Sequence, residues 1–407
     1  MIPLPKSLIY LDHAATTPLD PRVFEVMLSY FIEDFGNPSS FHTLGMRTKE
    51  AVSDARKSIA NLIGAHEDEI LFTAGGTESN NMALAGVIHT HRASIKEGLP
   101  HVITTSIEHH AVLEPLLHWQ KLKQIDVTVL PVDRDGRVSA KDVEAALTPN
   151  TILVSIMMAN NEIGTIQPIA DIGRALLVWR KEHKTIYPLF HSDACQAAGS
   201  LEIHVDKLHV DLLTINASKM YGPKGVGLLY LRRGTKIEPL IRGGGQERNL
   251  RSGTENVPAI MGFAKAFELA QAEREEESKR LLILRDRLAA GLLKIPKTRL
   301  NGHPIERLAN NLNISFIDIE GEAAVLYLDA KGIMVSTGSA CASASLDPSH
   351  VILATGLSYE GAHGSIRFTL GHSTTEEQID YVIKVMPGIV ERLRKISPVN
   401  LDMKYFA

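Results

Sequence analysis

A chain of 407 residues, 44% hydrophobic and 22% charged, has the balance of a globular protein and room for two domains with large cores, which excludes disorder and low complexity. A formal net charge of −4 exerts no global pull on nucleic acid or anionic membrane, so small molecules are the expected ligands. Two cysteines, Cys195 and Cys341, exclude a disulfide framework and a paired-cysteine zinc site.

No apolar run reaches the ~18 residues of a membrane span, and the opening MIPLPKSLIYLD lacks the regions of a signal peptide, so a cytoplasmic location is expected. In chain order, seven short runs rich in β-branched and apolar residues read as strands: EILFTA (69–74), HVITT (101–105), IDVTVLPV (125–132), TILVSIMM (151–158), YPLFHSDA (187–194), DLLTINAS (211–218) and VGLLYLR (226–232). Segments with helical spacing, such as SNNMALAGVIHTH and AKDVEAALT, separate most of them. That alternation predicts an α/β domain, residues 16–258, with a mainly parallel seven-stranded sheet flanked by helices. After Pro258 a long helical pattern leads into strand-like NNLNISFID and GSIRFTLG. Residues 259–407, completed by 1–15, are expected to form a smaller α+β domain. Within it, TTEEQIDYVIKVM predicts a helix whose capping box pairs Thr374 with Glu377.

Ligands of an open parallel sheet sit beyond the carboxyl ends of its strands. GGTESNN follows the first strand: glycines, then Thr77, Glu78 and Ser79 at a helix start, offer N–H groups and hydroxyls to an anion, or form a simple N-cap. No G-x-x-x-x-G-K-[ST] and no G-x-G-x-x-G opens a helix here, so a nucleotide cradle is not indicated. His109 and His110 follow the second strand as acid–base groups, surface residues or metal ligands; without HExxH or a His/Cys cluster, metal is the weakest reading. Asp193 ends an apolar strand, where a carboxylate is costly without a partner, so a cation should face it. Lys219 ends the next run, before a Gly-Pro turn, as a solvated edge residue or as a partly desolvated amine of the kind that forms Schiff bases. An amine, a carboxylate, an anion cradle and a histidine at the strand ends of one sheet are the set that pyridoxal phosphate requires.

Ten segments go further: YLDHAATTP (10–18), FGNPSSFH (35–42), FTAGGTESNN (72–81), EHHAVLEP (108–115), NNEIG (160–164), SDACQAAG (192–199), SKMYGPKGVG (218–227), GGGQERNLRSGTEN (243–256), STGSACASASLDPSH (336–350) and SIRFTLG (365–371). In order and spacing they resemble the cysteine desulfurases of the NifS/IscS-like branch, within the class V aminotransferase superfamily, nearly end to end. The resemblance implies the fold of the pyridoxal-phosphate-dependent transferases, pyridoxal 5′-phosphate as cofactor, and a homodimer. It implies Lys219 as the covalent anchor, Asp193 at the pyridinium nitrogen, His109 stacked on the ring, and Gln196 and Asn161 near the phenolic oxygen. Gly76, Thr77, Asn216 and Ser218 would surround the phosphate, and Thr254 would reach the phosphate of the partner subunit's cofactor. Arg367 would take the substrate carboxylate bidentately, assisted by Asn161 and Asn313. Many relatives carry His where this chain has Ser218; a hydroxyl still donates to phosphate but carries no charge, so the phosphate grip differs.

A single cysteine is usually structural, and Cys195 is expected to pack without a catalytic role. Cys341 lies instead in STGSACASAS, with too little apolar bulk to pack firmly. That resembles the family's long catalytic-loop form, whose cysteine accepts sulfur. The implied reaction converts L-cysteine to L-alanine: the Lys219 amine takes the α-proton, His109 moves protons, and the Cys341 thiolate takes the substrate sulfur as a persulfide. An iron-sulfur scaffold protein is the implied acceptor, with transfer RNA thiolation as another outlet. No membrane, metal or direct nucleic-acid binding is expected. A selenocysteine lyase or another class V aminotransferase would share Lys219, Asp193 and Arg367 without needing the thiol.

Overall fold

In the computed structural model, which describes residues 8–92, 95, 97–338 and 347–401, the seven expected strands all lie in one sheet. After a two-residue β1 (Ile9–Tyr10) they are β2 (Ile70–Thr73), β3 (His101–Thr105), β4 (Asp126–Leu130), β5 (Thr151–Ser155), β6 (Leu189–Asp193), β7 (Leu212–Asn216) and β8 (Gly227–Leu231), in spatial order β2-β8-β7-β6-β5-β3-β4. β3 to β7 pair parallel, while β8 is antiparallel to both of its neighbours, so β2 and β7 point the same way.

Side-chain alternation gives this sheet two apolar faces. Phe72, Ile103, Val154, Phe190, Leu213 and Leu228 pack under the helices Thr43–Ile63 and Ile169–His183 and the first half of Val257–Leu292. Their chain neighbours Leu71, Val102, Leu153, Leu189, Leu212 and Leu229 pack under Gly76–His91 and His110–Lys121. Covering both faces is why the strands read as nearly continuous apolar runs.

β9 (Thr298–Asn301), β10 (Asn311–Phe316) and β12 (Ser365–Thr369) form an antiparallel sheet in order β12-β10-β9, and β1 pairs parallel with β11 (Ile333–Met334). Their core takes Ile9 and Leu11 from the N-terminal segment, Leu312, Ile314 and Phe316 from β10, and Leu281, Leu284, Leu288 and Leu292 from the second half of the long helix. The 36-residue helix therefore serves both cores; Asn256 caps its start by accepting from Ala259 N, with Pro258 in the first turn. The capping box of the last helix sits one residue later than expected. Thr375, not Thr374, caps Glu376–Ile396 and exchanges bonds with Gln378, because Thr374 is buried and its hydroxyl accepts from Gly371 N at 3.0 Å. Among the described residues no helix is long and apolar enough to cross a membrane.

One buried ion pair ties the sheet edge to the loop after β8. Arg56 holds Glu247 through two bonds of 2.7 and 2.8 Å, and Glu247 also accepts from Phe72 N at 2.9 Å. The guanidinium lies over the Phe72 ring at 4.7 Å. Removing the arginine leaves a buried carboxylate without its cation, at about 3–5 kcal/mol. Arg56→Met should lower the unfolding free energy in a denaturant titration by that amount, whereas Arg233→Met, which breaks an exposed pair with Asp68, should leave it nearly unchanged.

Candidate active site

The carboxyl ends of β2, β5, β6 and β7 open on one cleft of about 270 Å³. Asp193, the last residue of β6, is 7% exposed; its carboxylate receives Asn80 Nδ2 at 2.6 Å and Cys195 N at 2.9 Å. Within the described residues the Asp193 carboxylate is oriented by an amide and a backbone N–H, and Lys219 lines the same cleft. Lys219 reaches in from the turn after β7, and its amine donates to Ala15 O. Thr17, two residues on, donates through N and Oγ to Ser218 O at 3.0 and 3.1 Å and accepts from Tyr221 N at 2.8 Å, so the N-terminal segment braces both sides of the lysine.

His109 caps the helix His110–Lys121: its Nδ1 accepts from Ala111 N at 3.0 Å, which leaves the proton on Nε2. Burial lowers its pKa, with Asp193 opposing and His110 and Lys219 adding to the shift, so the ring is neutral at pH 7. Across the cleft, the helix Gly76–His91 starts at Gly75 (φ 150°), and among the described residues no side chain caps it. A Cβ on Gly76 would lie 2.7 Å from Cys195 Sγ, so glycine alone fits the close turn. Asn80 Oδ1 and Asn216 Oδ1 are buried with no partner among the described residues. An uncapped helix start, orphaned amide oxygens, a carboxylate held by neutral donors and a lysine in one cleft fit the phosphate, ring and aldehyde of pyridoxal phosphate.

Arg367 enters from β12. It is 3% exposed; Nη2 donates to Asp12 at 2.8 Å and Nη1 to Asn161 O at 3.1 Å, while Nε is buried without a partner among the described residues. Gly76, Thr77, His109, Asn161, Asp193, Gln196, Asn216, Lys219 and Arg367 all line the cleft; Ser218, Thr254 and Asn313 do not. The Asn313 amide donates to Glu162 O at 3.1 Å and accepts from Asn301 at 2.8 Å, from an inward position on the central strand of the small sheet. Thr254 lines a separate crevice with Thr73 and Arg251. The Ser218 hydroxyl accepts from Asn216 Nδ2 at 3.4 Å. Cys341 lies outside the described residues. Cys195 lines the cleft, and burial together with Asp193 pushes its thiol well up, away from a reactive thiolate.

Sequence reasoning passed over Asn80 and Asp12. Asn80 stands four residues after Gly76, hence on the same face of a helix that starts at the cleft, and that spacing was the available signal. Asp12, an acid directly after the buried Leu11, called for a cation as much as Asp193 did.

Fold and cleft define an α/β enzyme that works with pyridoxal phosphate. The class V aminotransferase family model matches residues 9–382. A cysteine desulfurase IscS of Methanosarcina thermophila is 53% identical over 392 residues, 96% of this chain and 94% of that protein. A solved NifS-like protein superposes with a TM-score of 0.86 at 40% identity, covering 95% of this chain and all of its own. SspA, solved in complex with cysteine, gives 0.77 at 35% identity over 89% of this chain and 98% of its own. The chain belongs to the class V aminotransferase family, in its cysteine desulfurase branch, whose cofactor is pyridoxal 5′-phosphate.

Glu108, just before His109, is wholly buried. One carboxyl oxygen accepts from Thr105 Oγ at 2.7 Å and Met157 N at 2.9 Å, and the other has no partner among the described residues. Burial raises its pKa from 4.5 to about 8, with Asp193 adding and the two hydrogen bonds opposing. Between those values the folded protein binds more protons than the unfolded chain, so this group's contribution to stability is lost as pH rises through the window and is level above it. Denaturant melts at about pH 5 and about pH 9 should show the wild type losing stability relative to Glu108→Gln as pH rises; a constant difference would contradict the assignment.

Proposed function

We propose that this protein converts L-cysteine to L-alanine and takes the sulfur as a persulfide on Cys341, supplying iron-sulfur cluster assembly. The observation that carries this reading is the convergence of Lys219, Asp193 and Arg367 on one cleft in a chain of a desulfurase family. The complex of the similar SspA with cysteine supports the choice of substrate.

Bound in this cleft, pyridoxal phosphate supplies a protonated ring that draws off the electron pair left when the substrate Cα–H bond breaks. Lys219 would anchor it covalently, and its amine, lining the cleft, would be the base for the substrate α-proton. Asp193, immobilised by Asn80 and Cys195 N, keeps the ring nitrogen protonated. His109, which lines the cleft with Nδ1 engaged by Ala111 N, would hold the ring and move protons through Nε2. Gly76 and Thr77 would give backbone N–H groups to the phosphate, with Asn216 and Ser218 to assist them. Gln196 and Asn161 would hold the phenolic oxygen, and Arg367 would take the substrate carboxylate. The Cys341 thiolate then accepts the sulfur: one S–H and one C–S bond are exchanged for an S–S bond and the third hydrogen of the alanine methyl.

The same reading makes the molecule a cytoplasmic homodimer. Phe24, Phe31, Ile32, Phe35 and Phe41 stand 49–96% exposed along the helix Pro21–Ile32 and the segment after it, an apolar surface that a second copy would cover. Thr254, away from its own cleft, would then serve the partner subunit's cofactor. Residues 16–258, and 1–15 with 259–407, make the two domains of each subunit; the separate sheets and their main cores support that division. An iron-sulfur scaffold protein is the proposed acceptor of the persulfide.

Anaerobic incubation of the cofactor-loaded protein with L-cysteine and a thiol reductant should give sulfide and alanine in equal amounts. Cys341→Ala should give almost none of either, and Lys219→Ala should also lose the covalently bound cofactor's absorbance. Undiminished turnover by Cys341→Ala would overturn the desulfurase reading in favour of selenocysteine cleavage or amino-group transfer.

A further inference from the structure

The first turn of the helix Gly76–His91 carries a carboxylate, Glu78, two residues from Gly76. A negative charge by itself suits a helix start, but it opposes a second anion bound at the same N–H groups. The donors assigned to the phosphate, the N–H groups of Gly76 and Thr77 with Asn216 and Ser218, are all neutral. They do not offset the carboxylate.

Arg251 supplies the missing charge. Its Nε donates to Glu78 Oε1 at 2.8 Å and its Nη2 to Glu78 Oε2 at 3.2 Å, with the two side chains 21% and 15% exposed. A two-bond pair with so little exposure is only weakly screened by salt. Glu78 Oε2 also accepts from Ala74 N at 3.0 Å, so the pair grips the chain just before the turn at Gly75.

The loop that delivers Arg251 is bent and firmly held. Glu247, Arg248 and Asn249 have φ of 44°, 58° and 65°, in the left-handed region that residues with a Cβ rarely adopt. Such a bend persists only where its surroundings fix it. Here Arg56 and Phe72 N bind Glu247, and Arg248 Nη2 donates to Ile70 O at 2.7 Å. One loop thus holds β2 at Ile70 and Phe72 and the following helix start at Glu78. Arg251 lines the crevice of Thr254 rather than the cleft, so within its own subunit it reaches the cleft through Glu78.

We propose that Arg251 is a positioning residue for the cofactor phosphate: it cancels the Glu78 charge beside the helix start and holds that carboxylate on Ala74 N, leaving the N–H groups of Gly76 and Thr77 to the phosphate. The inference rests on Gly76 and Thr77 being the phosphate cradle.

The test titrates the full-length protein, freed of cofactor, with pyridoxal phosphate and with pyridoxal, which lacks the phosphate, and reads the two dissociation constants from ligand absorbance. Arg251→Met should raise the constant for pyridoxal phosphate by about tenfold while shifting that for pyridoxal by less than about threefold. Adding Glu78→Gln to Arg251→Met should return the pyridoxal phosphate value to within about threefold of the wild type. That rescue separates the role from a direct contact between Arg251 and a phosphate, which Glu78→Gln would not restore. Glu78→Gln alone leaves a cation beside the helix start and should tighten pyridoxal phosphate relative to pyridoxal by about threefold. Equal losses for the two ligands in Arg251→Met, or a double variant no better than Arg251→Met, would overturn the inference. Should Arg251→Met fail to fold by circular dichroism, Glu78→Gln decides alone, and an unchanged or lowered preference for the phosphate counts against it. A wild type that binds pyridoxal as tightly as pyridoxal phosphate would remove the phosphate cradle itself, whereas a normal wild-type preference with unaffected variants removes only the role of Arg251.

Discussion

The site depends on the cost of keeping Asp193 charged at the end of a buried strand. A carboxylate there is tolerated only with good donors, and the strongest comes from Asn80 on the helix after β2. Because Asn80 lies four residues from Gly76, satisfying Asp193 also fixes where that helix begins, and with it the N–H groups available to a phosphate. One hydrogen bond of 2.6 Å thus ties the carboxylate at the end of β6 to the helix start across the cleft. Behind it, His191 is wholly buried between Ser155 Oγ at 2.8 Å and Thr214 Oγ at 3.1 Å; burial lowers its pKa to about 4, so it stays neutral and does not compensate Asp193.

The N-terminal segment performs the corresponding task between the two sheets. Asp12 bonds Arg367, Ala14 N donates to Thr369 Oγ at 2.9 Å, Ala14 O accepts from Gln196, Ala15 O accepts from Lys219, and Thr17 braces Ser218 and Tyr221. Six residues therefore join the arginine of the small sheet to the lysine of the large one. Two small alanines allow the backbone itself to come close enough to act as acceptor. The motif YLDHAATTP, conspicuous in the sequence but without an assigned task there, is the stitch that holds the cleft together.

Buried carboxyl groups recur around the cleft with different partners and hence different states. Asp193 accepts two hydrogen bonds, Glu108 keeps one oxygen without a partner among the described residues, and Glu162 accepts from the Ser349 hydroxyl. Desolvation pushes the last two toward the protonated form. Glu108, which Asp193 pushes further toward the protonated form, thereby limits like-charge repulsion beside that carboxylate.

The sequence by itself determined the strands of the large sheet and the polar residues at their ends, because both follow from costs that neighbouring residues reveal. Strands covered on two faces must be apolar throughout, and a lysine or aspartate closing such a run needs a reason. Family motifs supplied the roles. Only the tertiary structure decided which neutral groups meet Asp193, that Asp12 already occupies one end of Arg367, that the Asn313 amide is consumed by Glu162 and Asn301, and that Thr375 rather than Thr374 caps the last helix. Those outcomes depend on pairings between residues far apart in the chain, such as Asn80 with Asp193 or Asp12 with Arg367, and on whether a given side chain is buried. Local periodicity carries no information about either, since one amide or one threonine hydroxyl reads the same in sequence whether it faces a cleft, a neighbouring strand or the solvent.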